Sequence, residues 1–160
     1  MLTHRPKIVV RSVVAACNYI IMRRTTVEQL NKSEFDHGQL GGALYLVNIG
    51  NQPATVVSLE QYLSFDEYLP LERPYESGAN QKVLDIQLTP GQACKLPFRP
   101  TAVTAGDSQK IIGGPPMCAI GRVLYTDELG NRRETGFARR FMPNQQRFVA
   151  VDDPDYEYAD

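Results

Sequence analysis

The chain has 160 residues, 42% of them hydrophobic, and a formal net charge of −1. That length suits one domain around one core, large enough to need no metal or disulfide staple. The near-neutral balance excludes the general basic field that holds nucleic acid, and no apolar run reaches the roughly 18 residues of a membrane-crossing helix.

Eleven Pro and twelve Gly punctuate the chain without clustering, the pattern of many short strands joined by turns. Lys7 to Val14 alternates as a first strand, with Ile8, Val10 and Val14 on one side and Lys7, Arg11 and Val13 on the other. Further on, Asn18 to Met22 reads as extended and Thr26 to Leu30 as one helical turn capped by Thr25 or Thr26. Asp36-His37-Gly38 reads as the turn into the next strand. Gly42 to Ile49 is the clearest central strand, with Ala43, Tyr45 and Val47 facing one way and Leu44 and Leu46 the other. Both faces are apolar, which predicts that both are covered or that one of them lies under a loop.

Gly50 to Pro53 turns the chain, and Ala54 to Leu63, rich in β-branched residues, returns. Leu69 to Gln81 reads as an irregular loop. Val83 to Leu88 alternates with Leu84, Ile86 and Leu88 inward, Pro90-Gly91 has the order of a type II turn, and Cys94, Leu96 and Phe98 form another inward row. Arg99 to Pro116 reads as a second long loop. In the strand Met117 to Asp127, Arg122 shares a side with Ile120 and Leu124, so Val123 and Tyr125 mark the core side. Glu128 to Asn131 is a hairpin turn. Arg132 to Phe141 returns with Thr135, Phe137 and Phe141 on one face, and Arg147 to Val151 is a last short strand.

With no segment to supply crossover helices, the expected fold is all-β: an immunoglobulin-like antiparallel β-sandwich of about seven to eight strands. A closed barrel is the alternative. One domain spans 1–160, with 1–6 as an N-terminal arm and 152–160 as an acidic tail.

Three segments carry a resemblance: H-R-P-K-I-V-V-R at His4 to Arg11, N-I-G-N-Q-P-A-T at Asn48 to Thr55, and the ending from Gly121 to Phe137 through Asp153 to Asp160. Together they resemble the soluble C-terminal domain of uncharacterised, mostly proteobacterial, membrane-anchored proteins. The resemblance implies an immunoglobulin-like fold and tethering to the bacterial inner membrane by a helix absent from this chain, with the cytoplasmic side favoured by free cysteines. It implies no catalytic residues. Members often carry Cys after the Phe of the last hairpin strand, where this chain has Ala138.

Candidate chemistry is sparse. Cys17, Cys94 and Cys118 are far apart and odd in number, which argues against a disulfide framework or zinc site and for small core residues. His4 and His37 lack ligand-spaced neighbours, and the tail acids Asp152, Asp153, Asp155, Glu157 and Asp160 lack the spacing of a calcium loop. No catalytic, cofactor or metal residue is assigned. Loop carboxylates such as Asp66/Glu67 and Glu72/Glu76 read as solubilising charges, and Gly113-Gly114, followed by Pro115-Pro116, is not a phosphate loop.

Arg132, Arg133, Arg139, Arg140 and Arg147 form a candidate anion or partner surface. Arg133 and Arg139 share the Phe137 face and Arg132 and Arg140 the opposite one. The competing reading has the acidic tail folding back to neutralise them. Tyr156 and Tyr158 fall on one side of an extended tail and are candidates to pin it. Leu69, Leu71 and Tyr75 form a candidate apolar contact loop, or cap one end of the sandwich. The leading expectation is a non-enzymatic interaction or scaffold module, monomeric or weakly oligomeric, with a protein partner met through a sheet edge or end loops and no nucleic acid. The alternatives are a secretion or phage assembly subunit that self-associates through sheet edges, and an enzyme of unrecognised type.

Overall fold

A computed structural model of the chain describes residues 5–21, 36–64, 68–74, 81–97, 101–103, 117–142, 145 and 147–160. It is all-β. The first sheet runs β1 (Ile8–Ile21), β2 (Asp36–Asn48) and β5 (Ala93–Pro97) in that order, with β6 (Thr101–Val103) also paired to β2. The second runs β10 (Tyr158–Ala159), β8 (Arg132–Met142), β7 (Cys118–Thr126), β3 (Ala54–Ser64) and β4 (Gln81–Leu88), with β9 (Arg147–Ala150) also on β8. Every pairing is antiparallel. Two open sheets replace the barrel alternative. Among the described residues no helix is long and apolar enough to cross a membrane.

The sheets face each other across one core. Ile8, Val10, Val13, Leu44, Leu46 and Leu96 from the first meet Val56, Leu59, Leu88, Val123, Tyr125 and Phe137 from the second. Strict alternation explains most of this, because every second side chain of a strand points the same way. Leu44 and Leu46 are fully buried, while Tyr45 and Val47 on the other face are half-buried, Tyr45 lying under the Lys95 ammonium. Val123 and Tyr125 are core residues as expected.

Alternation fails where the backbone carries an extra residue. The β1–β2 register shifts between Val10 and Ser12, so the inward row passes from Ile8 and Val10 to Val13. Val14, expected inward, is 46% exposed. The bulge flips the faces beyond it. Asp36, His37 and Gly38 are not a turn; they lie in β2 opposite Ile21, Ile20 and Tyr19. Thr101 to Val103, expected as loop, pairs with Gly38 to Leu40. The expected helical turn at Thr26 to Leu30, Phe98 and the Gly113-to-Pro116 segment lie outside the described residues.

The crossing from β2 to β3 is built on Asn48, which is fully buried. Its Oδ1 accepts from the Lys7 and Gly50 amides at 3.3 and 3.0 Å, and its Nδ2 donates to the Gln52 and Leu88 carbonyls at 2.8 and 2.9 Å. Gly50 lies against the incoming arm, where a Cβ would meet the Lys7 nitrogen at 2.4 Å and the Arg5 carbonyl at 2.5 Å. Pro6 is buried there, so the described end of the arm is part of the fold. The Pro90-Gly91 turn carries the expected left-handed glycine, φ 77°, closed by Gln92 N–H donating to Thr89 at 3.0 Å.

The acidic tail is not a solvated extension. Residues 151–160 run along the edge of β8 that β7 leaves free, continuing the pairing begun by β9. β9 pairs with Arg139 to Met142, Val151 N–H donates to the Ala138 carbonyl, and β10 pairs with Thr135 and Gly136. The Ala138 amide, left between the two short strands, donates to Glu157 Oε1 at 2.9 Å. A second small core forms on the outer face of this sheet, where Tyr156 packs with Cys118, Ile120 and Ala138, joined by Leu69 and Val151. Tyr156 and Tyr158 do pack on one face of the sheet, but only Tyr158 is in a strand; residues 154–156 form a turn.

Candidate interaction site

The five arginines are not brought together. Arg132 pairs with Thr126 and Arg140 with Cys118, at opposite ends of the β7–β8 hairpin. That separation is about 26 Å at strand rise. Arg133 reaches Asp127 at 3.7 Å. Arg139 is mostly buried, pairs with Glu157 and donates to the Val10 carbonyl at 2.9 Å. Burial pulls its pKa below the usual arginine value, while the guanidinium remains the cation its carboxylate requires. Arg140 lies beside Cys118, whose thiol burial pushes up to about 11 against the pull of both neighbouring arginines. Arg147 is exposed and donates to Gln145 at 2.7 Å. The tail therefore neutralises one member, Arg139, and leaves Arg132 and Arg147 on the surface.

The loop residues also separate. Leu69 packs on the outer core, Leu71 is fully exposed, and Tyr75 lies outside the described residues. Tyr156 ties this loop to the tail through its hydroxyl, which donates to the Pro70 carbonyl. Among the described residues no cluster of metal-ligating side chains forms. Cys94 and Cys118 are free thiols.

The outer face of the second sheet can be read as rows across the strands. In one row Gly136 lies beside Arg122, Glu60 and Gln81. Glu60 is buried, and Arg122 donates to both its oxygens at 2.8 and 3.3 Å. That hydrogen bond raises the Arg122 pKa above the ordinary value despite partial burial. Arg122 also reaches Glu134 at 3.5 Å, Glu134 accepts from the Tyr158 hydroxyl at 2.8 Å, and Arg73 sits 5.1 Å over the Tyr158 ring. Gly136 makes room for that ring, since a Cβ there would come within 2.3 Å of it.

The next row is Glu134, Leu124, Ser58 and Val83, and here the face opens. Between Val56 and Ser58 the register against both neighbouring strands slips, with Val57 the extra residue opposite β7. Such a bulge bends the strand and makes the face concave. The result is a cleft of about 620 Å³ whose lining includes Val57, Ser58, Val83, Leu124, Arg132 and Asp160. Ser58 is 3% exposed, and among the described residues its Oγ has no hydrogen-bond partner. Val83 is 81% exposed on β4, the last strand of the sheet.

Little in the local sequence pattern announces this cleft. Alternation places Leu124 away from the core, but Ser58 and Val83 become neighbours only through a register that turns and bulges set. The one local sign is the adjacent pair Val56-Val57, which breaks the alternation just before Ser58.

No family model matches the chain, and no curated protein matches it. Two solved structures are similar in part. The putative ApaA protein from Bordetella pertussis has 14% identity and a TM-score of 0.39, over 89% of this chain and 93% of that one. A structural-genomics target, SoR45, has 14% identity and a TM-score of 0.39, over 89% of this chain and 86% of that one.

Proposed function

We propose that the domain is a non-enzymatic, immunoglobulin-like interaction module that meets a protein partner at the β4 side of its second sheet. The strand order supports the immunoglobulin-like reading. β1, β2 and β5 stand as A, B and E strands, β3, β7 and β8 as C, F and G, and β4 extends the second sheet as an added strand beside C.

The observation that carries the reading is the unequal treatment of the edges. Open edges invite pairing with other chains, and natural sheets cover or shorten them. On β8 the tail fills the edge. On β1 the outward Ile8 and Val10 carbonyls accept from Thr135 and Arg139 of β8. Among the described residues β4 pairs only with β3 and β5 only with β2; of the two, β5 is the shorter, with 5 residues against 8, and β4 presents Val83 to solvent beside a cleft. Strand addition at such an edge is a common mode of protein recognition.

The test is site-specific photocrosslinking in the native host. A photoreactive residue at exposed Gln87 on β4 should capture a discrete partner that one at Val149 on β9 does not. Equal capture at both positions, or capture only from β9, overturns the reading. The inner-membrane tether belongs to the same reading, and fractionation of the host protein tests it.

A further inference from the structure

Resting on that reading, we propose that the cleft takes an extended segment of the partner that lays an aliphatic side chain over Val57, Val83 and Leu124. An oxygen acceptor meets the Ser58 hydroxyl and an acidic side chain meets Arg132.

The first support is the unpartnered hydroxyl. A buried polar group without a hydrogen bond costs roughly 1–3 kcal/mol, and natural structures rarely leave one except where function uses it. Ser58 is buried in the sheet face yet lines the cleft, so an incoming carbonyl or carboxylate oxygen is the group it lacks. The second is the pattern of charge. The carboxylates of the bordering rows, Glu60 and Glu134, are committed to Arg122. Arg132, the first residue of β8, stands exposed at the rim, and a guanidinium there suits a carboxylate.

The third support is continuity with an interface the chain already makes with itself. The tail lies across the same outer face, placing Tyr156 over Ile120 and Ala138 and Tyr158 over Gly136. Asp160, next to that cover, lines the cleft. A partner segment seated beside it would continue the cover over the uncovered half of the face. Asp160 also sets a limit on composition, because its carboxylate favours an amide or basic group at the end of the segment next to it.

The experiment selects a displayed library of random dodecapeptides on the purified chain, with counter-selection on Val83→Asp. Enriched peptides should combine an aliphatic residue with an acid. In amide spectra a synthetic copy should shift Ser58, Val83, Leu124 and Arg132. Ser58→Ala removes an unbonded hydroxyl, so it should keep its melting temperature while weakening the peptide about fivefold. Arg132→Ala should weaken it about tenfold.

Failure to enrich any such motif, or equal affinity in the Ser58 and Arg132 variants, overturns the inference. If Gln87 still captures a host partner in that case, the edge reading survives and only the cleft's occupant was wrong. If Gln87 captures nothing while the peptide shifts these four amides, the cleft stands and the edge falls.

Discussion

Asn48 shows how one side chain replaces a stretch of ladder. At the crossing between sheets the backbone groups of Lys7, Gly50, Gln52 and Leu88 lie at or just beyond strand ends, and a single side-chain amide bonds all four. Asn48→Ala strands two donors and two acceptors in a closed site, so unfolding in urea should show a loss of about 3 kcal/mol or more with an unchanged slope. A loss below about 1 kcal/mol would mean that water replaces the amide. Asp127 works on a smaller scale at the β7–β8 turn, where Oδ1 accepts from the Leu129 and Asn131 amides and Oδ2 from the Asn131 side chain. The Asn131 side-chain bond, more than any other contact, holds its carboxyl below the ordinary 3.8. The folded form binds its proton less readily than the unfolded form. Its stabilising contribution is therefore complete above the unfolded value and is lost as pH falls through the folded one. Asn131→Ala should flatten the acid side of the stability curve below about pH 4, read by thermal melts across pH.

Among the elements, the hairpin of β7 and β8 was the most legible. Its alternation, its glycine turn and its core face all follow from local sequence, and Gly130 takes the left-handed φ of 82° that the turn needs. β1 was legible only to its bulge, because a one-residue slip is written in how strands pair, not in hydrophobic period. The tail was the least legible. Its composition is that of a solvated acidic end, but its docking depends on a gap in the β8 pairing and on space above Gly136. Gly136→Ala tests the element directly. The added methyl would meet the Tyr158 ring at 2.3 Å and the Tyr156 carbonyl at 2.6 Å, so the tail must shift. Hydrogen exchange should quicken at the Ala138 amide, and the melting temperature should fall by an amount equivalent to about 1–3 kcal/mol. Unchanged exchange at Ala138 would show that the tail yields without leaving.

For the whole molecule, the two-layer architecture followed from spacing: every second residue apolar, turns at regular intervals, nothing long enough for a crossover helix. The cleft did not follow, because its floor joins β3, β4 and β7, and no single segment contains its pattern. The same holds for the charge row that borders it. Glu60 and Arg122 lie far apart in sequence and are adjacent only because β3 pairs with β7 in this register. Arg122→Met would leave Glu60 buried without its cation, at a cost of about 3–5 kcal/mol to the whole domain. The double variant Glu60→Leu/Arg122→Met should recover most of that loss in the same denaturant measurement, since paired apolar replacements avoid stranding a charge. Failure of the second change to rescue the first would place the cost in packing.

Asp160 stands in two structures at once. Its amide donates to the Glu134 carbonyl at 3.0 Å, completing the strip along β8, and its carbonyl accepts from the buried Tyr125 hydroxyl at 2.8 Å, while the residue also forms part of the cleft wall. A guest pressed against that wall would stiffen the strip, and loosening the strip would weaken the guest's hold by an equal factor, as reciprocity between coupled sites requires. The strip from Tyr158 to Asp160 would thus be both clasp and gauge: how firmly it is fastened would report whether the neighbouring hollow is filled.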